Sequence, residues 1–267
     1  MTAPGLGLTP PPPPTSSATG YSTSYRVRTA DVDPRCRLRL DSIARYLQDI
    51  ATDDLEATDH AETDPYWVVR RTVINVIEPI TWPATVCLQR WCSAVSTRWA
   101  SMRVRLTSEP ETNKLNPHER SSGLVETEAF WIAVNNQGMP TRISPAGFAT
   151  LAATTQTHRL RWHGMTPARP SPSGDPHTPP DRQHVLRSTD FDPLQHLNNA
   201  AYLSAVEDEL LEYPDLIAQP HRVVIEYLRP IPSGATVTVR RRRHGAQLQM
   251  WMSADDRVAA AVTVTPL

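Results

Sequence analysis

Asp192 and His196 stand four residues apart in the run Asp190-Phe-Asp192-Pro-Leu-Gln-His196-Leu-Asn198-Asn199, just ahead of a stretch with helical periodicity. A carboxylate in that position can attack a carbonyl carbon or take a proton from water. An imidazole, whose charge changes near neutral pH, can orient a substrate or shuttle that proton. The first amides of a helix have no intrahelical partners and lie at the positive end of its dipole. A helix opening at Asn198 and Asn199 therefore offers donors to a carbonyl oxygen that gains charge. Asn198 and Asn199 are themselves favoured capping residues, and we assign them to that helix end rather than to bond making. Glu207 and Glu226 are reserve catalytic carboxylates. The first lies in an acidic run with Asp208, Glu209 and Glu212 that reads as a solvated face; the second lies in a strand-like run, where a solvent-facing position is the first expectation.

These groups need a helix held against strands, and the spacing supplies both. Tyr202, Leu203, Val206 and Leu210 form an apolar stripe on a helix that closes before Pro214. The plan occurs twice. Leu40, Ile43, Ala44, Leu47, Ile50, Ala51 and Leu55 recur at the same three-and-four spacing, and Asp31-Val-Asp33-Pro precedes that helix as Asp190-Phe-Asp192-Pro precedes the other. Arg37 stands where the second copy has His196, so Asp33 reads as a turn-and-cap device.

Around the helices, strands are expected over residues 25–29, 67–77, 85–95, 99–107 and 124–134. After the second copy's lead strand, 184–188, they are expected over 222–228, 235–243, 248–253 and 258–265. The 26 prolines cluster in an N-terminal tail and around residues 167–180. The division is a Pro-rich tail over 1–20, a first block over 21–157, a Pro-rich linker over 158–183 and a second block over 184–267. One strand, one long helix and an antiparallel meander, given twice, makes an α+β chain.

At 39% hydrophobic and 21% charged, with no apolar run of about 20 residues, the chain is not expected to cross a membrane, and the first 19 residues do not read as a secretory signal. The cytoplasm is the expected compartment. Cys36, Cys87 and Cys92 have no metal-ligand spacing and are read as reduced; no metal and no cofactor is expected. A formal net charge of -1 argues against nucleic acid as a partner. Alternation along a strand would send two of Arg240 to Arg243 to each face.

The run from Asp190 through Tyr202 resembles the acyl-ACP thioesterases of plants and bacteria, which carry a D-x-D-x-N-Q-H-x-N-N stretch in their second hotdog domain. Tyr66-Trp67-Val68-Val69-Arg70-Arg71, Thr81-Trp82-Pro83, Trp91 with Ser93, and Phe130-Trp131-Ile132 through Asn135 fall in that family's order. The resemblance covers about residues 22 to 265. It implies a tandem, or double, hotdog whose N-terminal half shapes an acyl pocket and whose C-terminal half supplies the catalytic groups. It also implies a thioesterase of fatty acid biosynthesis that takes acyl carrier protein (ACP) as its partner, as monomer or homodimer. Leu194 replaces the family's Asn, and Pro230 stands where the family has a catalytic Glu. An acyl-CoA thioesterase on the same fold and an acyl-binding protein without hydrolysis are the alternatives. Some of Arg240 to Arg243 could then meet the acidic surface of ACP, against the plainer reading of an edge strand kept soluble.

Overall fold

Two amphipathic helices and the strands that follow each of them bury their apolar faces in one continuous core. The computed structural model describes residues 20–58, 60–169 and 179–267; the Pro-rich tail and the middle of the linker lie outside them. In the first half, β1 (Tyr21–Arg26) leads into α1 (Leu40–Glu56) and a short α2 (His60–Thr63). The strands β2 (Trp67–Glu78), β3 (Ala84–Val95), β4 (Trp99–Pro110) and β5 (Gly123–Ala133) follow, then α3 (Pro145–Ala152). In the second half, β6 (Arg182–His184) leads into α4 (Asn199–Leu210) and a short α5 (Pro214–Ile217). β7 (His221–Tyr227), β8 (Val237–His244), β9 (Gln247–Ala254) and β10 (Arg257–Pro266) complete it.

All ten strands join one antiparallel sheet in the order β1-β3-β4-β5-β2-β7-β10-β9-β8-β6. The halves meet where β2 pairs with β7, from Arg71 opposite Glu226 to Val76 opposite His221. Ile43, Tyr46 and Ile50 of α1, Leu203, Val206 and Leu210 of α4, and strand residues of both halves share a single buried cluster. The two helices therefore lie on the same sheet face and pack against each other. Each half is one long helix on its own strands, as expected for a tandem hotdog.

The lead strands differ from expectation, and the repeated motif gives the reason. β1 ends at Arg26 rather than running over 25–29, and β6 covers 182–184 rather than 184–188. Asp31 and Asp190 turn the chain out of the sheet: Oδ2 of each accepts from the backbone N–H three residues back, Arg28 and Arg187, both at 2.8 Å. One 3-10 turn closes at each place. Helix α3 went unpredicted, although Ser144 caps it by accepting from Gly147 N–H at 2.9 Å and Pro145 opens it.

The other sheet face is partly covered by the linker, whose described part crosses it: Trp251 Nε1 donates to Pro167 O at 2.9 Å, and the Arg71 guanidinium lies over the Trp162 ring at 5.0 Å.

Candidate active site

Asp192 sits in a tight turn that its own side chain holds together. Its Oδ1 accepts from the N–H of Leu194 at 2.9 Å and of His196 at 3.0 Å, while its backbone N–H donates to His196 O at 2.9 Å. Gln195 takes the left-handed conformation, φ 59°, that lets the chain reverse within so few residues. Among the described residues nothing donates to Asp192 Oδ2. The carboxylate is thus divided into one structural oxygen and one available oxygen.

The turn delivers the chain into α4. Asn198 is the cap, its Oδ1 accepting from Ala200 N–H at 2.9 Å, as its residue type foretold. Asn199 begins the helix, and its N–H has no acceptor among the described residues. His196 is half-buried and its ring makes no hydrogen bond among the described residues. Its backbone bridges to Pro232, and Leu197 N–H donates to Ile231 O at 2.8 Å. The loop carrying Pro230 therefore lies beside the Asp192 turn, so the family's missing Glu is missing from this neighbourhood. Leu194 is 74% exposed and supplies no polar group in place of Asn.

Tyr202, read from sequence only as part of the apolar stripe, brings a hydroxyl here as well. It donates to Arg229 O at 3.4 Å, its ring meets Tyr227 edge-on at 5.4 Å, and Asp192 lies within its electrostatic reach. Burial pushes the phenol's pKa up, against a backbone hydrogen bond at Ile231 that lowers it, and the Asp192 charge adds to the rise.

The first half builds the same turn and closes it. Asp33 Oδ1 accepts from Arg35 N–H at 2.8 Å and Arg37 N–H at 2.9 Å, and Cys36 has φ 61° where Gln195 has 59°. Here, however, Oδ2 is taken by Arg37, through Nε at 2.9 Å and Nη2 at 2.7 Å. Both oxygens are occupied, which fits Asp33 as a turn device.

Neither reserve carboxylate is a solvated group. Glu207 Oε1 accepts from the N–H of Leu40, the first residue of α1, at 2.6 Å, next to a small cavity of about 30 Å³ that also touches Asp33, Arg37 and His221. Burial raises its pKa, against the Leu40 hydrogen bond that lowers it. Burial and nearby Arg37 hold His221 down, with its bond to Gln219 O acting the other way. Glu209, also expected on the solvated face, is buried and pairs with Arg241 at 2.5 Å. Glu207 and Glu209 leave solvent because their positions on α4 face α1 and β8, whereas Asp208 and Glu212 of the same run are exposed as expected.

Glu226 is buried too, on the sheet face away from the helices, where it anchors the linker. It accepts from Met165 N–H at 2.8 Å, from Thr166 N–H at 3.2 Å and from the Thr166 hydroxyl, with Arg71 at 3.6 Å. The structure thus gathers Asp192, His196, Asn198 and Asn199, and places Glu207 and Glu226 elsewhere. The arginine run divides as alternation requires, but in β8, beside the short edge strand β6. Arg240 pairs with Asp181, Arg241 with Glu209 and Arg243 with Asp215, so most of its charge is spent within the chain.

An apolar cavity of about 490 Å³ opens in the first half, between the carboxyl end of α1 and the strands. Leu55, Trp67, Trp91, Met102, Trp131 and Leu151 line its wall, and the half-buried Arg90–Asp54 pair closes one side. Cys92 faces it as a thiol, its pKa pushed up to about 12 by burial. All three cysteines are free, and the described residues contain no cluster able to hold a metal ion and no helix long and apolar enough to cross a membrane.

Comparison with known proteins matches both halves. A family model described as the acyl-ACP thioesterase N-terminal domain matches residues 18–146, and one described as the acyl-ACP thioesterase C-terminal domain matches residues 176–263. Uncharacterized protein Rv2001 of Mycobacterium tuberculosis is 39% identical over 253 residues, 94% of this chain and 94% of its own length. Among solved structures, an acyl-ACP thioesterase from Bacteroides thetaiotaomicron superposes with TM-score 0.71 at 14% identity, and a 12:0-ACP thioesterase from Umbellularia californica with TM-score 0.63 at 16% identity. Each comparison covers 92% of this chain and 96% of the other.

Proposed function

Because the chain belongs to the acyl-ACP thioesterase family, we propose that it hydrolyses fatty acyl-ACP to free fatty acid and holo-ACP at the amino end of α4, with Asp192 activating the water. The observation that carries this reading is the divided carboxylate of Asp192, in the turn that leads into α4, together with the N–H of Asn199 at the start of that helix, which has no acceptor among the described residues. The thioester carbonyl oxygen accepts from Asn199 N–H. Asp192 Oδ2 takes a proton from water as the water oxygen bonds the carbonyl carbon, and the carbonyl π pair moves onto the oxygen, where the amide and the helix dipole stabilise it.

Collapse of that intermediate breaks the C–S bond. The pantetheine sulfur leaves with the bonding pair and receives the proton held by Asp192, directly or through His196, which regenerates the carboxylate and releases the fatty acid. The acyl chain occupies the apolar cavity of the first half, whose volume of about 490 Å³ lies within the roughly 300–1,000 Å³ of small-molecule sites.

The test is to incubate the full chain with acyl-ACP of graded chain length, and with the matching acyl-CoA series, while following free thiol. Release of holo-ACP is expected. Absence of thiol release from every acyl-ACP overturns the proposal, and faster release from acyl-CoA moves the carrier assignment to CoA.

A further inference from the structure

The two halves differ in one contact at their helix ends. Matching Asp33 to Asp192 in the repeated turns puts Leu40, which begins α1, opposite Asn199, which begins α4, and puts Gln48 of α1 opposite Glu207 of α4. Glu207 reaches across the helix pair and fills the first amide of α1, at 2.6 Å. Gln48 is thus the position of α1 that corresponds to Glu207, and the first amide of α4 is unfilled among the described residues.

Three further observations fit. Gln48 shares a polar cavity of about 790 Å³ with Asn198, Ala200 and Ala201, the first turn of α4. It is half-buried, yet its carboxamide makes no hydrogen bond among the described residues. Ala51 and Leu55, three and seven positions on and therefore on the same face of α1, wall the apolar cavity. A thioester carbonyl held beside Gln48 would thus have its acyl chain led along α1 into that cavity.

We propose that Gln48, from the N-terminal half, is a catalytic residue: its Nε2–H donates to the thioester oxygen alongside Asn199 N–H, so that each half contributes one donor. The α1 end cannot act in the same way, because the Glu207 carboxylate already occupies its donor. One reacting centre per chain follows from the filled amide of Leu40 and the open amide of Asn199. The inference rests on the thioesterase reading above.

The test compares wild type, Gln48→Ala and Gln48→Glu in the acyl-ACP thiol-release assay, with melting temperature measured for each. Loss of one oxyanion donor lowers kcat about 10²-fold. Gln48→Ala is expected to show that loss with KM changed less than threefold and the melting temperature held. Gln48→Glu is close in size and would fill the Asn199 amide as Glu207 fills that of Leu40; it is expected to lose turnover while remaining folded.

An active wild type with Gln48→Ala within threefold of it in kcat overturns the inference alone. Should Gln48→Ala fail to fold, a Gln48→Glu variant that turns over normally overturns it equally. An inert wild type removes the thioesterase reading and this inference with it.

Discussion

Arg37 holds Asp33 through two hydrogen bonds to one carboxylate oxygen, at the position where His196, in the second half, leaves the corresponding oxygen of Asp192 without a donor among the described residues. The repeated turn is thus one backbone device with two different uses. Two charge-assisted hydrogen bonds from one guanidinium occupy the oxygen that the turn leaves over, which fixes the carboxylate and removes it from chemistry.

Asp33→Asn is therefore expected to leave turnover on acyl-ACP within about threefold of wild type. The Asn Oδ1 can still accept from Arg35 and Arg37 N–H, but the half-exposed ion pair is lost, at roughly 1 kcal/mol. A steady-state assay and a thermal melt on the same preparation check both statements. Abolished hydrolysis with the fold intact would reassign the active half.

Asp192→Asn is expected to lower turnover by roughly 10² or more while the melting temperature hardly moves, since Asn keeps the acceptor for Leu194 and His196 N–H and loses only the charge on Oδ2. His196→Ala separates two routes for the proton. If the proton passes through the imidazole, the double variant is no slower than Asp192→Asn alone; if it returns directly from Asp192, His196→Ala by itself costs little. Near-native turnover by Asp192→Asn would remove it from the mechanism.

Glu226→Ala probes a structural role. It leaves the amides of Met165 and Thr166 without their acceptor and Arg71 without its ion pair on a buried sheet face, a loss of about 3 kcal/mol. Destabilisation in urea with kcat of the folded fraction unchanged is the expected pattern. A drop in kcat at full folding would instead return Glu226 to the catalytic candidates.

Local signals carried most of the architecture. The apolar spacing in Leu40, Ile43 and Ile50 and in Leu203, Val206 and Leu210 located both helices, and alternating strand residues located the sheet to within a few residues. Asn198 was legible as a cap because capping is a property of its own two neighbours. What sequence did not reveal depends on partners far along the chain. Glu207 reads as solvated until α1 is placed beside it, Glu226 until the linker crosses the sheet, and Tyr202 as one more apolar residue until its hydroxyl meets Arg229 O. Gln48 carries no motif at all; only the comparison of two folded halves sets it apart.

The buried contact of Glu207 makes a pH-dependent prediction whose sign follows from its raised pKa. In the unfolded chain the carboxyl titrates near its ordinary value of 4.5, whereas burial raises the folded value above it. Well above the folded value, the fold carries the full cost of a desolvated charge. As pH falls through the folded value, the folded state takes up its proton first, and that cost disappears by the time pH reaches the unfolded value. Gln at this position keeps an oxygen for Leu40 N–H and carries no charge at any pH. Glu207→Gln is thus expected to be more stable than wild type at pH 8, by roughly 1 kcal/mol or about 2–4 °C for a chain of this size. The gap should close steadily as pH is lowered toward 4.5. Thermal melts of both proteins across that range decide the matter: a gap that is constant, or that widens on acidification, would show that the carboxylate is not held desolvated against α1.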